Sequence, residues 1–275
     1  MPASPMRQGR CRNCGGVRYQ GHCLDCGLSE EEDLEVHEEL RALVHPTADR
    51  LACARLAMAM GRKLIALKLA TASAHDGPKP DVGRALRINL LSQIGEDAAA
   101  FSDARQWTVE SPDQAVAWAA YAEQLSSAER KGEAVAAFQK ALSLDSNAHR
   151  VRARLAQLYL DLGRWGQAQA SARAVLNQKG DREATLAALG VIAHYVELLI
   201  QRGEQRSVEE VLESLGDRAG RHPTFLCARA WLAWQDNNHT LARKELKAAR
   251  KMQVNSEYPL LEQMEELIKG ARWWW

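Results

Sequence analysis

A 34-residue period runs through the middle of the chain and limits its fold more than any other feature. Ala66, Ala100, Ala134 and Ala168 fall at intervals of 34, 34 and 34. Gly61, Gly95 and Gly163 lie five residues before three of these alanines, where a turn between paired helices belongs. Pro78 and Pro112 lie twelve residues after two of them, where a helix has to stop, because proline brings no amide hydrogen to the next turn. Each period therefore reads as two helices and a short turn. The composition agrees. Alanine is abundant, and it loses no side-chain entropy in a helix, whereas the β-branched residues that suffer there are sparse.

The clearest unit spans residues 115–148. It carries Trp118, Tyr121, Ala122 and Leu125, then Ala134, Phe138 and Ala141. This resembles the tetratricopeptide repeat pattern, in which Trp, Tyr and Phe fill the seam between neighbouring hairpins. The resemblance covers residues 47 to about 270. It implies an all-α fold, a right-handed superhelical solenoid of helix-turn-helix repeats, with small residues at the eighth and twentieth repeat positions. In that register the repeats begin at Thr47, Asp81, Ala115 and His149. A fifth begins at Glu183, with Gly190 as its first small residue. Its second-helix position is Val208, forty residues after Ala168, so six extra residues enter around 194–201. A sixth begins at Pro223, with Ala230 and Ala242 at the small positions. Pro259 then opens, and Gly270 closes, a last helix with Leu260, Leu261, Met264, Leu267 and Ile268 on one face, as the cap of a solenoid requires.

The N-terminus carries a different signal. Cys11, Cys14, Cys23 and Cys26 form C-x2-C-x8-C-x2-C. Each pair closes a tight loop that aims two sulfurs at one ion, and two such loops supply the tetrahedral cage Zn2+ prefers. Val17 and Tyr19 are almost the only apolar side chains between the pairs, so a metal has to supply the stability. Two disulfides are the competing reading of the same cysteines. The segment resembles the short zinc-ribbon modules found at the ends of many bacterial proteins, which implies a structural Zn2+ with no open coordination position. The expected organisation is a zinc ribbon at 1–28, an acidic linker and lead-in helix at 29–46, about six repeats over 47–256, and a capping helix with a Trp-rich tail at 257–275. The linker holds seven acids in ten residues, Glu30 to Glu39, followed by Leu40, Leu43 and Val44 at helical spacing.

For function, the net charge of +1 selects no nucleic acid or membrane surface. The opening residues lack the apolar core of a signal peptide, and His194 and Glu197 interrupt the most apolar stretch, so a cytoplasmic chain without a membrane span is expected. No Gly-rich phosphate loop, H-E-x-x-H or G-x-S-x-G is present, so no enzymatic activity is expected. The repeat resemblance implies a concave groove lined by first helices. It places Arg55, Met58, Asn89, Ser92, Gln93, Glu123, Arg150, Gln157, Asp161, His194, Tyr195, Trp231 and Trp234 there. A subclass that clamps acidic C-terminal peptides is matched by Asn89, Arg150 and Arg154, while Ala85 and Ala120 stand where it has polar anchors. Trp273, Trp274 and Trp275 either fold back on the stack or dock in a partner's pocket. Two functions follow. One is an adaptor that grips a partner's peptide or helix. The other is a nucleic-acid regulator whose ribbon touches phosphates through Arg7, Arg10, Arg12 and Arg18.

Overall fold

The structure, a computed structural model, describes residues 18–19, 22–23, 50–178, 181–252 and 259–270. The chain divides into two compact units, 1–146 and 147–275. In the first, β1 (Arg18–Tyr19) and β2 (His22–Cys23) pair antiparallel, with Arg18 opposite Cys23 and Tyr19 opposite His22. Three helical hairpins follow: α1 (Arg50–Ala59) with α2 (Lys63–Asp76), α3 (Pro80–Gln93) with α4 (Asp97–Glu110), and α5 (Ala115–Ser127) with α6 (Lys131–Leu144). The second unit holds α7 (His149–Asp161) with α8 (Trp165–Leu176), α9 (Arg182–Gln201) with α10 (Gln205–Leu215), and α11 (Pro223–Gln235) with α12 (His239–Met252). A 3-10 turn (Gly216–Arg221) precedes α11, and α13 (Pro259–Gly270) packs on both α11 and α12.

The hairpins share one closing device. A residue with positive φ ends the first helix of each: Gly61, Gly95, Glu129, Gly163, Gly203 and Asn237. The first four stand 34 apart, the next interval is 40, and the last is 34 again. The hydrogen bonds repeat as well. In the first hairpin Gly61 N–H donates to the Met58 carbonyl and Arg62 N–H to the Ala57 carbonyl. In the third, Glu129 donates to Ser126 and Arg130 to Leu125. This left-handed closure satisfies carbonyls that the helix end would otherwise orphan, and it reverses the chain within three residues.

Behind each turn, small residues let the two helices meet. Counted back seven and forward five from the turn, the pairs Ala54/Ala66, Ala122/Ala134, Ala156/Ala168 and Ala230/Ala242 are all fully buried. The second hairpin differs by using Ile88 with Ala100, and α3 instead makes its close approach at Gly83. A Cβ there would lie 2.6 Å from the Ala74 backbone nitrogen of α2, so only glycine fits.

The fifth hairpin corrects the sequence register. Gly190 is exposed and not part of the interior. Counted from Gly203, the equivalent interior residue is Val196, fully buried opposite Val208. The reason is geometric: the turn sets which face of a helix points inward, and α9 has 20 residues where α7 has 13. By length and composition α9 is also apolar enough to cross a membrane, and half of its most apolar window is buried in the unit. In α13, Leu260, Leu261 and Met264 are buried, whereas Leu267 is 43% exposed.

The turns yield a direct test. Glu129 has φ of 58°, a conformation that disfavours any residue with a Cβ by roughly 1–2 kcal/mol. Glu129→Gly should therefore raise the stability of the chain, offset in part by the greater freedom of glycine when unfolded. Gly95→Ala should lower it by about 1 kcal/mol, although a Cβ at Gly95 meets nothing within 4 Å. Equilibrium unfolding of both variants checks the pair. Shifts of the same sign would contradict the left-handed assignment.

Candidate functional site

Packing leaves one face of several first helices exposed. In α7, Ala153, Leu155, Ala156, Leu158, Tyr159 and Leu160 turn inward. Arg150, Arg154, Gln157 and Asp161, at spacings of four, three and four, then form one exposed row. Gln157 Nε2 donates to Asp161 Oδ1 at 3.0 Å. Arg150 pairs with Asp181, and with Glu183 at 3.0 Å, while Asp181 also accepts the Glu183 N–H at 3.0 Å as the cap of α9. The Arg150 hydrogen bond, aided by that amide, holds the Asp181 carboxyl below its ordinary range. Arg150 thus links the starts of α7 and α9, and an incoming carboxylate has two residues of this chain to displace.

The exposed row of α9 runs Glu183, Leu186, Gly190 and His194. Leu186 is 58% exposed, and a Cβ on Gly190 would meet nothing within 4 Å. Sequence reasoning missed Leu186 and placed Gly190 inside, because both follow from the longer α9. His194 Nδ1 lies 3.7 Å from the Glu197 carboxylate, and Tyr195 is half-buried. Nearby, the Thr224 hydroxyl donates to Glu197, and the Thr224 N–H to His222 Nδ1, which caps α11. Burial pushes His222 below its ordinary pKa, which favours the neutral ring that this hydrogen bond requires.

The expected aromatic end of the groove is different in the structure. Trp231 is only 6% exposed and belongs to the core of the second unit, where α13 packs on its helix. Trp234 is half-buried, with its ring 4.4 Å from that of His239. Cys227 is fully buried, and burial pushes its thiol up to about 12, far from a usable nucleophile. The basic strip Arg243, Lys244, Lys247, Arg250 and Lys251 is the exposed face of α12, whose opposite face buries Ala242, Leu246 and Ala249. Arg250 reaches Glu265 of α13 at 3.1 Å.

In the first unit, Arg55 and Asn89 are exposed, and Glu123 is half-buried. Asn89 Oδ1 accepts from Gln93 Nε2 at 2.6 Å, and Met58 packs partly against the first core cluster. The strongest polar cluster here was not anticipated. Asp103 of α4 takes both Arg84, at 3.1 Å, and Arg87, at 2.5 Å, from α3. Arg84 also lies 5.3 Å from the Trp107 ring centre and bonds Glu110, whose carboxyl it holds below its usual range. This network joins the two helices of a hairpin.

Cys11, Cys14, Cys26, Trp273, Trp274 and Trp275 lie outside the described residues, and Cys23 is described only as the second residue of β2. Among the described residues, no three His, Cys, Asp or Glu side chains gather as metal ligands would.

Comparison with known proteins supplies the remaining context. Residues 125–192 match the tetratricopeptide repeat family. No curated protein sequence is significantly similar to the chain. Among solved structures, the C-terminal part of a tetratricopeptide repeat-containing protein from Cytophaga hutchinsonii is similar over 85% of this chain and 93% of its own, with 14% identity and a TM-score of 0.52. A thermophilic tetratricopeptide protein of Thermus thermophilus is similar over 81% and 97%, with 13% identity and a TM-score of 0.43. Residues 125–192 thus carry tetratricopeptide repeats, within helical hairpins that share the fold of a tetratricopeptide repeat protein.

Proposed function

We propose that this protein is a non-enzymatic interaction scaffold that holds a peptide or helix of a partner protein against its first-helix faces. Tetratricopeptide repeats generally serve protein–protein interaction. The observation that carries the reading is the pair of rows on α7 and α9. An exposed leucine and a bare glycine, Leu186 and Gly190, stand beside the polar row Arg150, Arg154, Gln157 and Asp161. An exposed apolar side chain bordered by polar groups is the composition of an interface centre with its rim. A glycine in a helix interior costs about 0.5–1 kcal/mol against alanine, and here no packing of the chain requires it.

The four cysteines fit a structural zinc ribbon that acts as a second docking module. The β1–β2 pairing supports this, since it gives the x8 segment between the cysteine pairs an antiparallel turn-back, with Cys23 on its second strand. Four thiolates leave a Zn2+ no vacant position, so the metal would hold the fold and do no chemistry.

Two tests follow. Leu186→Asp and Gly190→Arg should abolish recovery of the native partner from cell extract without lowering the melting temperature. Gly190→Ala should raise it by an amount equivalent to about 0.5–1 kcal/mol. Full recovery by both groove variants would overturn the site. Metal analysis of protein purified without added metal should return about one zinc per chain, lost on Cys11→Ser. A zinc-free protein with a mass deficit of about four hydrogens would show two disulfides instead.

A further inference from the structure

The first hairpin exposes a face that the next ones bury. The tenth residue of each repeat is Leu56 in the first, Leu90 in the second and Gln124 in the third, counted from Thr47, Asp81 and Ala115. Leu90 is fully buried, in one cluster with Ala54, Ala57, Ile65, Ala66, Leu69 and Ala70 of the hairpin before it. Gln124 is 7% exposed. Leu56, in contrast, is 57% exposed, and Met60, in the turn directly after α1, is 49% exposed. At Leu90 the tenth position enters the preceding hairpin, and α1 exposes the equivalent side chain, Leu56.

The sequence before α1 offers one. Counting 34 residues back from α2 (Lys63–Asp76) gives 29–42, where the second helix of a preceding hairpin is due. In and directly after this stretch Val36, Leu40, Leu43 and Val44 follow the spacing of an apolar helix face. The charges also match. Residues 50–76 carry Arg50, Arg55, Arg62, Lys63 and Lys68 against Asp76, five cations to one acid, whereas residues 30–39 carry seven acids and no Lys or Arg. Opposite charge steers and orients such a contact, and apolar burial supplies the gain.

We propose that residues 34–44 of this same chain lie as a helix across Leu56 and Met60, completing the N-terminal end of the repeats as half a hairpin.

Hydrogen exchange on the full-length chain tests this, with Leu56→Gln/Met60→Gln as one variant and Leu40→Gln/Leu43→Gln as the other. Each pair should speed amide exchange in the opposite segment by about tenfold or more, and combining them should add little further. Because Leu56 and Met60 are exposed, exchange in α5 should stay unchanged and report that the remaining hairpins are folded. Unchanged exchange of residues 34–44 on altering Leu56 and Met60 would overturn the proposal. So would a concentration-dependent dimer, seen by light scattering, that the α1 variant abolishes and the Leu40/Leu43 variant leaves intact; this face would then belong to a second copy.

Discussion

Four of the six described hairpins bring their two helices together at a pair of buried alanines immediately behind a left-handed turn. The turn reverses the chain in three residues, too few to hold the helices apart, so large side chains at the crossing would force them open. Alanine at both positions permits the approach, as in Ala122 with Ala134. The larger residues one turn away, Leu125 and Phe138, are buried as well. This division of labour explains a core made largely of alanine with few aromatics. Close backbone approach, not bulky side chains, supplies much of the packing.

The same constraint produces the surface. Once the turn fixes which face of the first helix points inward, the remaining residues are exposed in rows at spacings of three and four. In α7 that row is charged and polar; in α9 it includes an exposed leucine and a glycine. The extra residues of α9 matter here, because they shift the phase of its N-terminal half relative to the turn that closes it. A chain of equal repeats would have placed Gly190 inside and left a different row outside. Variation in helix length is thus one way in which a repeated fold acquires a local surface of its own.

Much of this was legible in the sequence, for physical reasons. Gly61, Gly95 and Gly163 mark turns because glycine reaches positive φ without strain, and the buried alanines recur with the same period. The helix starts at Ala115, His149, Pro223 and Pro259 agree with the expected register. Glu129 and Asn237 occupy equivalent turns without being glycine, so only the geometry reveals them. Trp231 sits at an outward position in the repeat register, yet it is buried in a unit where α13 supplies an additional packing layer. The Arg84–Asp103–Arg87 cluster spans 19 residues of chain, and no local spacing announces a contact of that range.

The most direct test of this account is a comparison of two leucines on one helix. Ala134 is fully buried at the crossing of α5 and α6, whereas Ala136, two residues on, is exposed. Equilibrium unfolding should show Ala134→Leu destabilised by roughly 1–3 kcal/mol, the usual cost of overfilling a packed contact. Ala136→Leu should stay within about 0.5 kcal/mol of the parent chain, as surface changes do. Equal stability of the two variants would contradict the close alanine contact on which the hairpins are built.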